Sequence, residues 1–147
     1  MSAMALRDAA DPDITIRATG MQWKWAYDYL QGEGEGISFF SSPQSVTGAS
    51  QALPSVDRPI VVPVHKKIRI LLTAVDVIHE WHIPALDVEQ AAIPTLTRDT
   101  WFRAEKLGTY RGVCSEFCGP DHLCLPIVVD VVSEDSYRQW VATRQGT

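Results

Sequence analysis

Met21–Leu30 reads MQWKWAYDYL and sets Trp23, Trp25, Tyr27 and Tyr29 at every second position. Aromatic residues at period two predict a β-strand with one nearly all-aromatic face, because successive side chains of an extended chain point to opposite sides. Such a face belongs against a core, and its indole and phenol rings also place delocalised electrons close to a surface. Upstream, Asp13–Thr19 (DITIRAT) alternates apolar and polar residues and predicts another strand, with Gly20 as the interruption before the aromatic run. Downstream, Gln31–Val56 is rich in Gly, Ser, Pro and Gln and reads as loops carrying one short strand at Ile37–Phe40. The β-branched runs Pro59–Val64 and Lys67–Val75 follow, separated by His65 and Lys66, with His65 a solvated turn residue. Thr100–Ala104, Thr109–Val113 and Leu125–Val132 predict three further strands, and none is assigned between Pro84 and Thr100. Ser133 reads as an N-cap, followed by Glu134, Asp135 and a short amphipathic helix to about Thr143. Many short strands separated by turn residues, with almost no helix, predict an all-β sandwich or barrel. No repeat or second domain interrupts this pattern, so a polar arm over residues 1–12 leads into one domain over residues 13–147.

Composition narrows the functional classes. A chain of 147 residues with 46% hydrophobic and 21% charged residues can bury a real core and remain soluble. Its net charge of −5 argues against a nucleic-acid partner, which needs a basic face, and is compatible with docking a basic protein. No apolar run is long enough to span a bilayer, and MSAMALRDAADPD lacks the apolar core of a signal sequence. Three cysteines are too few for a disulfide scaffold, and the odd count leaves at least one thiol unpaired.

The chemistry concentrates in Cys114–Pro126, CSEFCGPDHLCLP. Cys114, Cys118 and His122 recur every four residues, with Gly119, Pro120 and Pro126 fixing the shape of the loop. Thiolates and imidazole aimed at one point suit copper or zinc and suit calcium or magnesium poorly. The alternative is a disulfide beside a surface histidine; the spacing and turn chemistry favour a metal. Asp76–Pro84 (DVIHEWHIP) supplies His79 and His82, which three residues apart in extended chain point to opposite faces, so only one readily joins the cysteine loop. Two cysteines and two histidines can close a tetrahedral zinc site as well as hold copper.

DVIHEWHIPALDVEQAAIP together with CSEFCGPDHLCLPIVV resembles the copper-binding domain of cytochrome c oxidase subunit II, and the likeness takes in QWKWAYDY and DRPIVVP, or roughly residues 13 to 142. The resemblance implies a cupredoxin-like Greek-key β-barrel with a short C-terminal helix, holding the binuclear copper centre CuA. It implies Cys114 and Cys118 as bridging thiolates, His79 and His122 as terminal imidazoles, and the Glu116 carbonyl as a weak ligand. It implies Trp23 as the residue at which electrons enter. Cytochrome c would be the donor and subunit I, the haem-copper subunit, the acceptor, on the extracytoplasmic (periplasmic) side of a respiratory membrane. The domain would perform no bond chemistry itself, and its membrane association would come through an N-terminal anchor outside this sequence. Glu116 and Asp76 match acidic positions near the subunit interface, and the Glu116 carboxylate matches one that reaches a magnesium ion.

Two positions depart from the family pattern, and a third falls where it varies. Leu125 stands where the family has a methionine thioether, so one copper would lose its axial ligand and the potential would change while packing is kept. Cys124 stands where an aromatic residue is usual; if Leu125 faces the copper, Cys124 faces away, as a buried thiol acting as a small hydrophobe. His82 falls where the family carries assorted residues and reads as a surface or supporting residue. The alternative function is a copper carrier, sensor or mononuclear metal-binding domain without an electron-relay role. The similar copper domain of nitrous oxide reductase is disfavoured by Glu116 and the DVIH segment.

Overall fold

The computed structural model describes residues 11–43, 55–114 and 125–145, apart from the side chains of 113, 114, 125 and 145. In chain order the strands are β1 (Ile14–Met21), β2 (Lys24–Gln31), β3 (Ser38–Ser41), β4 (Ile60–Pro63), β5 (Lys67–Ala74) and β6 (His79–Ile83). A 3-10 turn at Pro84–Leu86 leads to β7 (Val88–Ala92), β8 (Arg98–Arg103), β9 (Gly108–Cys114) and β10 (Leu125–Val132), and helix α1 (Glu134–Gln145) ends the described chain. One sheet has the order β3-β2-β1-β5-β8, a second β4-β10-β9, and β6 pairs with β7 alone. Two parallel pairs, β1 with β5 and β10 with β4, join segments far apart in sequence, and all other neighbours are antiparallel.

Alternation explains how the sheets close on one another. Along β5, Ile68, Ile70, Leu72 and Ala74 are buried while the intervening residues are half-buried. Trp25, Tyr27 and Tyr29 do the same on β2 and provide some of the largest buried side chains. Two of these rings tie the layers together by hydrogen bonds. The Tyr29 hydroxyl donates to the Val61 carbonyl (2.7 Å) and accepts from the Val61 N–H (3.1 Å), joining β2 to β4, and burial pushes its pKa well up. The Trp81 indole N–H donates to the Tyr27 hydroxyl at 3.3 Å. Helix α1 begins as expected, with the Ser136 N–H donating to the Ser133 hydroxyl at 3.1 Å, and buries Tyr137 and Val141.

The strands fall within one or two residues of their expected places, with three corrections. Gly20 does not interrupt the first strand; it lies inside β1 and pairs with Trp25. Trp23 is not part of the buried aromatic face, because Gln22 and Trp23 form the turn between β1 and β2 and the Trp23 side chain is 53% exposed. Finally, Val88–Ala92 is a strand that alternation did not predict, since VEQAA is poor in β-branched and aromatic residues. Its pairing with β6 follows from the 3-10 turn, where Asp87 takes the left-handed conformation (φ 53°, ψ 45°) and its N–H returns to the Pro84 carbonyl.

Candidate metal centre

His79 opens β6 and is 3% exposed. The β6 pattern buries His79, Trp81 and Ile83 and turns Glu80 and His82 outward, so the two histidines do face opposite ways. The His79 ring is packed from two sides. It meets Trp25 edge-on, with centroids 5.9 Å apart, and it lies so close to β1 that a Cβ at Gly20 would sit 2.9 Å from its Cγ and Cδ2. Only glycine leaves that space, which is why a strand residue without a side chain stands there. The Trp25 indole N–H beside it is buried with no hydrogen-bond partner among the described residues.

Asp76 fixes the orientation of the ring. Its Oδ1 lies 3.0 Å from His79 Nε2 and accepts from the Val77 N–H (2.6 Å), while Oδ2 accepts from the Gln22 N–H (2.8 Å). Desolvation is the largest single influence on this carboxyl and pushes it up. The Gln22, His79 and Val77 hydrogen bonds together outweigh it and hold the group below the usual carboxylate range. A carboxylate only accepts, so His79 Nε2 carries the ring proton and Nδ1 is the nitrogen to present to a metal. This carboxylate–histidine arrangement is the usual support of a ligating imidazole. Asp76→Asn should therefore lower copper affinity about 10- to 100-fold, as measured by competition with a chelator. Unchanged affinity would rule out the orienting role.

Cys114 closes β9, the strand that lies against β6. Its backbone pairs in register with Leu125, the first residue of β10, so the connection over residues 115–124 starts and ends on adjacent chains. Glu116, Cys118, His122 and Cys124 lie in that connection, outside the described residues. The approach of β9 to β6 is fixed by Gly112, where a Cβ would fall 1.8 Å from the His82 carbonyl oxygen. Trp23 lies on the turn whose Gln22 N–H binds Asp76, placing an exposed indole next to the support of His79. The donor set therefore fits a copper or zinc site as far as it is described: one buried, oriented imidazole next to a strand that ends in a cysteine.

Gly20, Gly112 and the hydrogen bonds of Asp76 were missed by reading the sequence. The first two carry a legible signal, since glycine within a strand pattern marks a close approach of another backbone or ring. Asp76 carries none, because an acidic residue three before a histidine is common on any surface.

The described strands and single C-terminal helix define a cupredoxin-like domain, a class shared with relatives of known structure. The family model for "Cytochrome C oxidase subunit II, periplasmic domain" matches residues 14–132. This chain belongs to that family. It is 35% identical to cytochrome c oxidase subunit 2 of Cereibacter sphaeroides over 95% of this chain and 52% of the relative. It is 40% identical to the same subunit of Cyanidium caldarium over 95% of this chain and 57% of the relative. The chain thus spans about half the length of the curated relatives it matches. Among solved structures, the periplasmic domain of subunit II of cytochrome oxidase of Bradyrhizobium japonicum is similar at TM-score 0.81 and 40% identity, covering 92% of this chain and 96% of that one. A mixed-disulfide intermediate between a thioredoxin-like protein and subunit II of cytochrome c oxidase is similar at TM-score 0.79 and 40% identity, covering 92% of this chain and 93% of that one.

Proposed function

We propose that this domain is a one-electron relay that holds a binuclear copper centre, receives electrons from a cytochrome c and delivers them to the haem-copper subunit of a terminal oxidase. The observation that supports the reading most is His79, a buried imidazole oriented by Asp76 on the strand that lies against the one ending at Cys114. Cys114 and Cys118 would bridge the coppers, His79 and His122 would take the two ends, and the Glu116 carbonyl would be a weak ligand. When bound, two coppers sharing one unpaired electron spread each change of charge over several bonds, so little has to relax on transfer.

The chain's own residues do the rest. Trp25, Gly20 and Asp76 hold the His79 ring, and the packed sheets would keep that geometry fixed through both redox states. Trp23, exposed on the adjoining turn, would be the point of electron entry, and surface carboxylates would steer a basic cytochrome. Leu125, in register with Cys114, cannot coordinate and would leave one copper without its thioether. That substitution is also the observation in favour of a copper carrier. The residues 13–147 would form the copper domain and residues 1–12 its arm, with the Glu116 carboxylate available to magnesium in the full complex. The domain would work at the extracytoplasmic face of a respiratory membrane; among the described residues no helix is long and apolar enough to cross a membrane. The thiols must be reduced to bind copper, and the thioredoxin-like partner of the mixed-disulfide relative is the kind of protein that would do so.

Mixing a reduced cytochrome c with the copper-loaded chain in a stopped-flow instrument tests the relay. Second-order oxidation of the cytochrome that slows steeply with added salt is expected. Failure of the loaded protein to accept electrons would favour the carrier, and rates indifferent to ionic strength would discard the steering.

A further inference from the structure

We propose that Glu80, His82 and Glu89 form a second metal site, on the outer face of the β6–β7 hairpin, which takes a divalent ion of the zinc class. Each residue offers one donor atom, and the three atoms lie within 4.8 Å of one another. The register produces this cluster. His82 and Glu89 are direct cross-strand partners, and Glu80, two residues before His82, projects from the same face. His82 Nδ1 already stands 3.8 Å from Glu89 Oε2. Donors at about 2.1 Å from a tetrahedral ion stand about 3.4 Å apart, so a small side-chain adjustment closes the remaining gap.

The chemistry selects the ion. One imidazole and two carboxylates suit zinc and its neighbours among the divalent transition metals; the soft ion Cu(I) would prefer thiolates. A doubly charged cation would be held by both carboxylates and the imidazole, and water can complete the coordination. The site is accessible, since Glu89 is exposed and His82 and Glu80 are half-buried. It is also anchored, because the β9 backbone at Gly112 packs directly on the His82 carbonyl and fixes the strand beneath the imidazole. Alternation keeps it separate from His79, which points to the other side of β6. An ion here would cross-link β6 to β7 and so stabilise the hairpin that carries His79.

The site can be tested without any copper. In the full 147-residue chain with Cys114, Cys118 and Cys124 all replaced by serine, zinc is titrated calorimetrically in a non-coordinating buffer. The expected result is saturable binding of about one equivalent, weakened at least about tenfold by His82→Ala and by Glu89→Gln, with far-ultraviolet circular dichroism showing each variant folded. Absence of saturable binding, or affinity unchanged in His82→Ala, overturns the proposal. Should the triple-serine chain fail to fold, zinc X-ray absorption on the copper-loaded native chain decides. A nitrogen and oxygen shell at about 2.0–2.2 Å is expected, and a sulfur shell at about 2.3 Å would contradict it. Because the calorimetric test uses no copper and no cysteine, its failure leaves the relay untouched, and failure of the relay leaves this site standing.

Discussion

Gly112→Ala should destabilise the domain by about 3 kcal/mol or more, at the upper end of what overpacking costs. The added methyl would lie 1.8 Å from the His82 carbonyl oxygen, 2.8 Å from its carbon and 3.0 Å from Ile83 Cγ1. Two of those atoms belong to the backbone of β6, which pairs with β7 and carries the buried Trp81 and Ile83 next to the clash. No side chain can swing aside to relieve it, so β9 and β6 must separate. With total stability for such a domain of only about 5–15 kcal/mol, the loss should appear as a fall in thermal midpoint of about 10 °C. The same displacement should reduce copper uptake, since β9 ends at Cys114. A variant melting within about 2 °C of the parent would mean that the two strands are not packed as described.

His79→Ala should abolish the intense visible absorption of the copper-loaded protein, whereas His82→Ala should leave it intact. The contrast rests on one strand, because the two rings differ only in the face they occupy. Removing the imidazole leaves a space of its own size between Gly20 and Trp25, with the Asp76 carboxylate still held by the Gln22 and Val77 N–H groups. Imidazole added to the solution should enter that space and restore part of the colour. The cavity should also cost the metal-free protein about 2 kcal/mol, readable as a lower urea midpoint. An unchanged spectrum in His79→Ala would remove this residue from the ligand set, and lost colour in His82→Ala would mean the two histidines had been assigned to the wrong faces.

Most strands were legible because burial imposes a pattern on the sequence: β5 alternates buried and half-buried residues, and β10 is a β-branched apolar run with Ile127, Val128 and Val129 all buried. The same alternation put His79 and His82 on opposite faces, and it was the resemblance that selected His79 as the inward one. The aromatic run was misread at its first member only: period two was counted through a turn, and a two-residue turn preserves the spacing while releasing Trp23 from the sheet. Gly20 was read as a breaker because local propensity cannot register a ring from another strand, and it is the His79 ring that requires glycine there. The strand β7 was illegible for a related reason. Its partner and its turn, with Asp87 in a left-handed conformation, hold it extended against the preference of Glu89, Ala91 and Ala92. Of the candidate ligands, alternation showed only that His79 and His82 face opposite ways, and the hydrogen bond of His79 to Asp76 depends on the backbone N–H of Gln22 on a distant turn, which no spacing reveals.

The deciding observation is the electron spin resonance spectrum of the oxidised, copper-loaded chain, taken with a count of copper per protein. A relay built on Cys114, Cys118, His79 and His122 predicts two coppers per chain and a hyperfine pattern in which one electron is shared equally between two copper nuclei. One copper per chain with the pattern of a single nucleus, or a protein that takes up no copper, would contradict it.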